Sequence, residues 1–283
     1  MIRRPWLAVP LSLALVGCAN VTFSHPVLLQ AAHDRFAVTL SPGVVSETNN
    51  NDVPIQDLTE QDLARIDSLL PGPPTTVTIT VGDPDQILPA VGTVGFTDPE
   101  TGAITIGLDP RWTLEPPDIS FSLARTLARE VDHSVRITRG PGFERTLLDQ
   151  LVVAGTQTTF DQSAFPGPPD PWVGALTASQ ECQQWKHLRP LLEKVGLHPE
   201  VLLGGPVNAT LFGESNMPPA TGRDIGYDIV AEYISRNPAI NWVTLTETPA
   251  QTILNASGYS PCAATRADGP ERGVPDHLKI AVD

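Results

Sequence analysis

Alternation and helical spacing divide the chain into units. Phe36-Ala37-Val38-Thr39-Leu40 and Thr75 to Val81 put apolar or β-branched residues at every second position, the period of a half-buried strand. Gly92 to Phe96 and Ala103 to Leu108 flank Asp98-Pro99-Glu100-Thr101-Gly102, which predicts a hairpin. Ala19 to about Leu29 reads as a tether or first helix, and Glu47 to Asp52 as a polar loop. Thr59-Glu60-Gln61-Asp62 opens a helix to Leu70 with Thr59 as N-cap, and Pro71-Gly72-Pro73-Pro74 stops it.

The longest organised stretch, Phe121 to Phe160, reads as helix, turn, helix. In the first helix Leu123, Ala124, Leu127, Ala128, Val131 and Val135 share an apolar face; Arg125, Arg129, Asp132, His133 and Arg136 lie opposite, with Glu130 on the flank. Spacing alone describes an amphipathic surface helix with Arg129/Asp132 and Asp132/Arg136 pairs. A second helix is predicted over Glu144 to Gln157, in which Asp149 is the carboxylate near position 154 but on another face. Phe165 to Pro171 is a rigid turn with Trp172 as its anchor; helices follow at Thr177 to Lys186 and Asp224 to Asn237, with a loop between. Thr248-Pro249-Ala250-Gln251 predicts a capping box opening a last helix to Ala256, and the tail from Ala263 is polar.

With 283 residues, 41% hydrophobic and 18% charged, the chain supports one substantial domain. Its net charge of −14 argues against nucleic acid. Arg3, Arg4 and the apolar Pro5 to Val16 form a targeting segment too short to span a bilayer. The segment ends Leu15-Val16-Gly17-Cys18, which resembles a bacterial lipoprotein box; that resemblance implies a signal peptide over 1–17 and an acylated, palmitate-bearing Cys18. An ordinary signal peptide is the alternative. The expected location is the cell envelope, facing the periplasm, and the outer membrane in a Gram-negative cell because Ala19 follows Cys18. Cys182 and Cys262 remain, either as one disulfide suited to an oxidising compartment or as two separate buried thiols.

Arg129-Glu130-Val131-Asp132-His133 stands where a zinc peptidase carries H-E-x-x-H, a motif that puts two His on one helix face beside a general base. The stretch Ala128 to Arg136, the block Thr146 to Gln157, Pro171-Trp172, Phe212-Gly213, Gly222, Ile225-Gly226-Tyr227 and Thr248 to Leu254 together resemble a bacterial family of predicted Zn-dependent proteases, over about 75–259. The resemblance implies an α+β, zincin-like fold, mostly helical, with a small antiparallel sheet or hairpin beside the active-site helix. It makes Ala103 to Leu108 the candidate edge strand for an extended peptide. It also makes Arg129, His133 and Ala154 vestigial metal positions, Glu130 a vestigial general base, and Arg223, where the family has Tyr, a cleft candidate.

Arginine has no lone pair to offer a metal, and a unit charge about 4 Å from Zn²⁺ at an effective dielectric near 20 costs roughly 8 kcal/mol. A complete structural zinc site supplies only about 10–16 kcal/mol. The expectation is therefore no metal and no cofactor, in a pseudoenzyme whose Arg129 bonds Glu130 or another nearby carboxylate. Its expected partners are the membrane, through Cys18, and a peptide or protein ligand. An active peptidase with zinc held unconventionally and a purely structural lipoprotein are the competing readings. The organisation expected is 1–17 signal peptide, 18–58 lipidated Cys and first elements, 59–262 domain, 263–283 tail. The remaining histidines, His25, His33, His187, His198 and His277, have no ligand spacing.

Overall fold

Alternating apolar residues build three mutually parallel strands, β2 (Phe36–Leu40), β3 (Thr75–Val81) and β5 (Ile104–Leu108). Two antiparallel strands, β1 (Val27–Gln30) and β4 (Thr93–Thr97), close the sheet in the order β1-β2-β3-β5-β4. The computed structural model describes residues 27–30, 35–50, 54–83, 87, 91–110, 116–196, 205–206 and 216–262. The helices are α1 (Pro42–Asn50), α2 (Ile55–Leu69), α3 (Pro116–Arg139), α4 (Leu147–Ala164), α5 (Ala178–Leu188), α6 (Thr221–Arg236), α7 (Trp242–Glu247) and α8 (Ala250–Ser257). A 3-10 turn, Arg189–Leu191, follows α5, and two short strands, Gly205–Pro206 and Asn216–Met217, pair antiparallel.

Register explains where the site lies. Val38, Val77 and Ile104 align across the sheet, as do Leu40, Ile79 and Ile106, all buried. Carried onto β4, these rows end at Thr97 and Gly95. The apolar face thus turns small and polar at the strand that packs with β5 against α3. On its other side α3 packs against α4, which packs in turn against α6 and α8.

The α4–α6 crossing is set by two glycines. A Cβ on Gly155 would overlap the Gly226 carbonyl, and one on Gly226 would overlap the Leu151 carbonyl. Only bare backbone permits this approach.

The α+β class and the strands Phe36–Leu40 and Thr75–Val81 are as the sequence predicts. Several details differ. The sheet is mixed rather than antiparallel, since β2, β3 and β5 are parallel, and its edge beside α3 is β4, not β5. Val27–Gln30 is a strand, and α1 runs through Glu47 to Asn50. Helix α2 begins four residues before Thr59, which is interior and donates its hydroxyl to Ile55 O. Thr248 donates to Thr244 O instead of capping α8, whose N-cap is Pro249. Cys182 and Cys262 form a disulfide, closing the alternative of separate thiols. No described helix is long and apolar enough to cross a membrane. Cys18, His25, His33, His198, Phe212-Gly213, His277 and the tail from Ala263 lie outside the described residues.

Two stability predictions follow from the packing. Gly155→Ala forces α4 and α6 apart and is expected to cost about 1–3 kcal/mol, read as a lowered denaturation midpoint. Asp62 has an oxygen without a hydrogen-bond partner, and burial pushes its carboxyl from 3.8 up to about 7, against the pull of Arg65. The folded state therefore holds the proton more tightly, and stability falls as pH rises from about 4 through 7. Asp62→Asn is expected to leave Tm nearly unchanged at pH 4 and raise it by about 2 °C or more at pH 8, as thermal melts at the two pH values will show.

Candidate functional site

Spacing along α3 sorts its polar residues into two ridges. Thr126, Glu130 and Ser134 face the β4–β5 hairpin. The hydroxyls of Thr93 and Thr126 lie 2.7 Å apart, Thr97 Oγ1 donates to Glu130 Oε2 at 2.7 Å, and Ser134 Oγ donates to Gly102 O at 2.6 Å. A Cβ on Gly95 would overlap the Glu130 carboxylate, so this glycine is what lets the acid reach the strand. Of the two expected partners for Arg129, Glu130 is not the one it bonds: Glu130 accepts from a threonine, and Arg129 bonds another carboxylate.

The second ridge is Arg125, Arg129 and His133. Arg129, 7% exposed, donates Nη1 to Asp161 Oδ2 at 2.7 Å and to Asp170 Oδ2 at 3.5 Å, and Nη2 to Thr126 Oγ1 at 2.8 Å. Burial works against its charge, but Asp161, Asp170 and Glu130 more than offset it and hold the guanidinium above its ordinary pKa. Asp161 is fully buried; desolvation and the charge of Asp170 push its carboxyl up, opposed by Arg129 and Arg125. Arg125 donates to Phe165 O at 3.2 Å and to Asp170 Oδ1 at 3.3 Å. The Pro-rich turn therefore delivers a carboxylate shared by two arginines.

The same turn delivers an aromatic platform. Trp172 donates Nε1 to Thr158 Oγ1 at 3.0 Å, and its ring carries Arg129 at 5.2 Å and Arg223 at 4.6 Å. Asp224 holds the turn by accepting from Gly174 N and Leu176 N, both at 2.8 Å. Arg223 thus reaches the cleft from α6. Burial, then the charge of Arg129, lower its pKa to about 10, against the pull of Glu130, Asp170 and Asp161, and its Nε has no hydrogen-bond partner.

His133 points elsewhere: Nε2 lies 2.5 Å from Glu144 Oε1. Burial opposes its charge, yet the hydrogen bond and charge of Glu144, with Glu130 and Asp132, raise its pKa. Ala154, buried, contributes a methyl and its carbonyl, which accepts from Thr158. Thr126, Arg129, Glu130, Gln157, Trp172 and Arg223, with Thr93, Val94 and Gly95 of β4, line a cleft of about 220 Å³ that His133 and Ala154 do not reach. A smaller hollow of about 170 Å³ lies against Arg125, Arg129 and Asp170.

A zinc held in the H-E-x-x-H…E manner requires lone pairs at positions 129, 133 and 154. Arg129 offers none and is ion-paired, Ala154 offers none, and His133 is engaged by Glu144. Among the described residues no group of three or more His, Cys, Asp or Glu is arranged to hold a metal. The donor set does not fit the metal.

Asp161 and Asp170 are the site residues that sequence reasoning missed. Helix α4 runs to Ala164, past the predicted end at Gln157, so Asp149 is not its last carboxylate. Asp149 instead closes the α4 capping box with Thr146. A signal for Asp161 was present: it lies seven residues, two helical turns, beyond Ala154 and so shares the face expected to supply a ligand. Asp132 and Arg136 are likewise not on a surface. Asp132 accepts from Thr246 Oγ1 at 2.6 Å, and Arg136 donates to Thr246 O at 3.0 Å, tying α3 to α7.

Searches of curated proteins and of solved structures return no match. A family model described as "Predicted Zn-dependent protease (DUF2268)" matches residues 55–255, which takes in α2 through most of α8 and every residue of the cleft. By that match, over more than half of the chain, the protein belongs to the family of predicted Zn-dependent proteases.

Proposed function

We propose that the protein is a lipid-anchored cell-envelope protein whose peptidase-like domain binds peptide or protein without cleaving it. The observation that carries this reading is the 2.7 Å ion pair between Arg129 and Asp161, buried at the position where the family's pattern needs a metal ligand. A fixed positive charge there supplies, without a Lewis acid, the cation that neighbouring carboxylates require. Glu130 retains the place of a general base but has no activated water to serve, and it is tied to β4. The cleft stays open beside an edge strand, the arrangement that accepts an extended chain through its backbone. The anchor rests on the Leu15-Val16-Gly17-Cys18 segment, and the Cys182–Cys262 disulfide suits an oxidising compartment.

Two measurements test this reading. Full-length protein purified in detergent and equilibrated with zinc is expected to hold far less than one ion per chain by elemental analysis. Stoichiometric zinc that disappears in His133→Ala would reinstate an active peptidase. Arg129→Met is expected to cost about 3–5 kcal/mol by leaving Asp161 buried and unpaired, with much of the loss recovered in Arg129→Met/Asp161→Leu. Unchanged stability in the single variant would show that the guanidinium is not the structural cation.

The anchor has its own test. Cys18→Ser is expected to move the protein from the membrane fraction to the soluble fraction of the cell envelope, and continued membrane association would remove the lipid from the account.

A further inference from the structure

Two arginines share the Trp172 platform, and they differ in how their charge is matched. Arg129 is satisfied by Asp161, Asp170 and Thr126. Arg223 lies 4.6 Å over the same ring and lines the cleft, yet no described side chain forms an ion pair with it and its buried Nε has no partner. Arg223 is partly buried with its Nε out of reach of solvent, and a partly desolvated guanidinium without an acceptor is costly unless a ligand supplies one. Glu130, the carboxylate in the lining, gives one oxygen to Thr97, and with Asp170 and Asp161 it offsets only part of the burial and Arg129 repulsion acting on Arg223.

The neighbouring strand adds direction. The bonds from Asp109 N to Gly92 O and from Asp98 N to Ala103 O set the phase of the β4–β5 ladder. By the two-residue alternation of an antiparallel pair, the N–H and C=O groups of Thr93, Gly95 and Thr97 point away from β5. No other described strand takes them, since β4 is the sheet edge. An open edge and an unmatched guanidinium thus border one cleft.

We infer that the cleft binds the free C-terminal carboxylate of an extended peptide. The carboxylate would accept from Arg223, and the preceding backbone would pair with β4 at Thr93 and Gly95. Forked N–H donation from arginine to carboxylate is a strong, geometry-selective contact, and it would supply the hydrogen-bond acceptor that the fold leaves out. The inference rests on the peptide-binding reading above and gives it a chemical class of ligand.

Calorimetric titration of the full-length protein with an acetylated Ala-Val-Ala-Val-Ala peptide bearing a free carboxylate, its C-terminal amide, and sodium acetate tests the assignment. The free acid is expected to bind about tenfold or more tighter than the amide, and acetate far more weakly than either. Arg223→Met is expected to raise Tm, by removing a partly desolvated charge with no hydrogen-bonded acceptor, while abolishing the preference for acid over amide; Arg223→Lys, which keeps the charge without the fork, should keep part of it. Equal binding of acid and amide overturns the carboxylate assignment and leaves peptide binding standing. Acetate binding as tightly as the peptide removes the role of β4. Binding of none of the three overturns this inference, whereas the metal content of the protein, measured separately, decides the reading beneath it.

Discussion

The interaction on which the rest depends is the burial of the Arg129 guanidinium between α3 and α4. Taking an arginine charge out of water costs several kcal/mol even after relaxation, and only close carboxylates with good hydrogen bonds offset it. Asp161 at 2.7 Å supplies the first, Asp170 the second, and the Thr126 hydroxyl takes a remaining proton. Each of these has a structural consequence. Asp161 requires α4 to continue past Gln157. Asp170 requires the Pro-rich turn to fold back over α3, where Arg125 fixes it from a second side. The turn in turn needs Asp224, at the start of α6, to bind its backbone. One buried charge thereby links three helices and the turn between them.

The sheet explains why this charge faces a cleft rather than a packed core. Rows of Val, Ile and Leu run across β2, β3 and β5 and would continue the core under α3, but β4 presents Thr93, Gly95 and Thr97 in the same rows. Threonine hydroxyls bond Thr126 and Glu130, and glycine leaves room for the acid. Apolar packing thus stops one strand short of the sheet edge, and a polar hollow forms there. The exposed Phe96, at 60%, lies in the alternate phase and takes no part in it.

What the sequence revealed follows this division. Alternation located β2 and β3, and the hairpin residues located β4 and β5, because each strand buries one face. Strand order was beyond reach: the parallel pairing of β3 with β5 places β5 inside, a long-range choice that no local pattern encodes. The α3 motif was legible, but burial was not. Arg125, Asp132 and Arg136 look like a solvated face by spacing, and they are buried because α4, α7 and the Pro-rich turn bring partners from up to 114 residues away. The same holds for capping. Thr59 and Thr248 have the residue type of helix caps, yet Thr59 lies inside α2 and Thr248 bonds back into α7, as hydroxyls do when a carbonyl four residues earlier is within reach.

Arg129 and Arg223 then separate two meanings of a charged residue beside a cleft. Both stack on Trp172. For Arg129, the fold has built acceptors at Asp161, Asp170 and Thr126, so the charge belongs to the architecture. For Arg223, burial and the repulsion of Arg129 lower the pKa to about 10, a penalty that Glu130, Asp170 and Asp161 relieve only in part. A matched buried charge stabilises a shape, whereas an unmatched one at a cleft wall stabilises whatever anion arrives. The second kind of charge gives the cleft a polarity that the first does not.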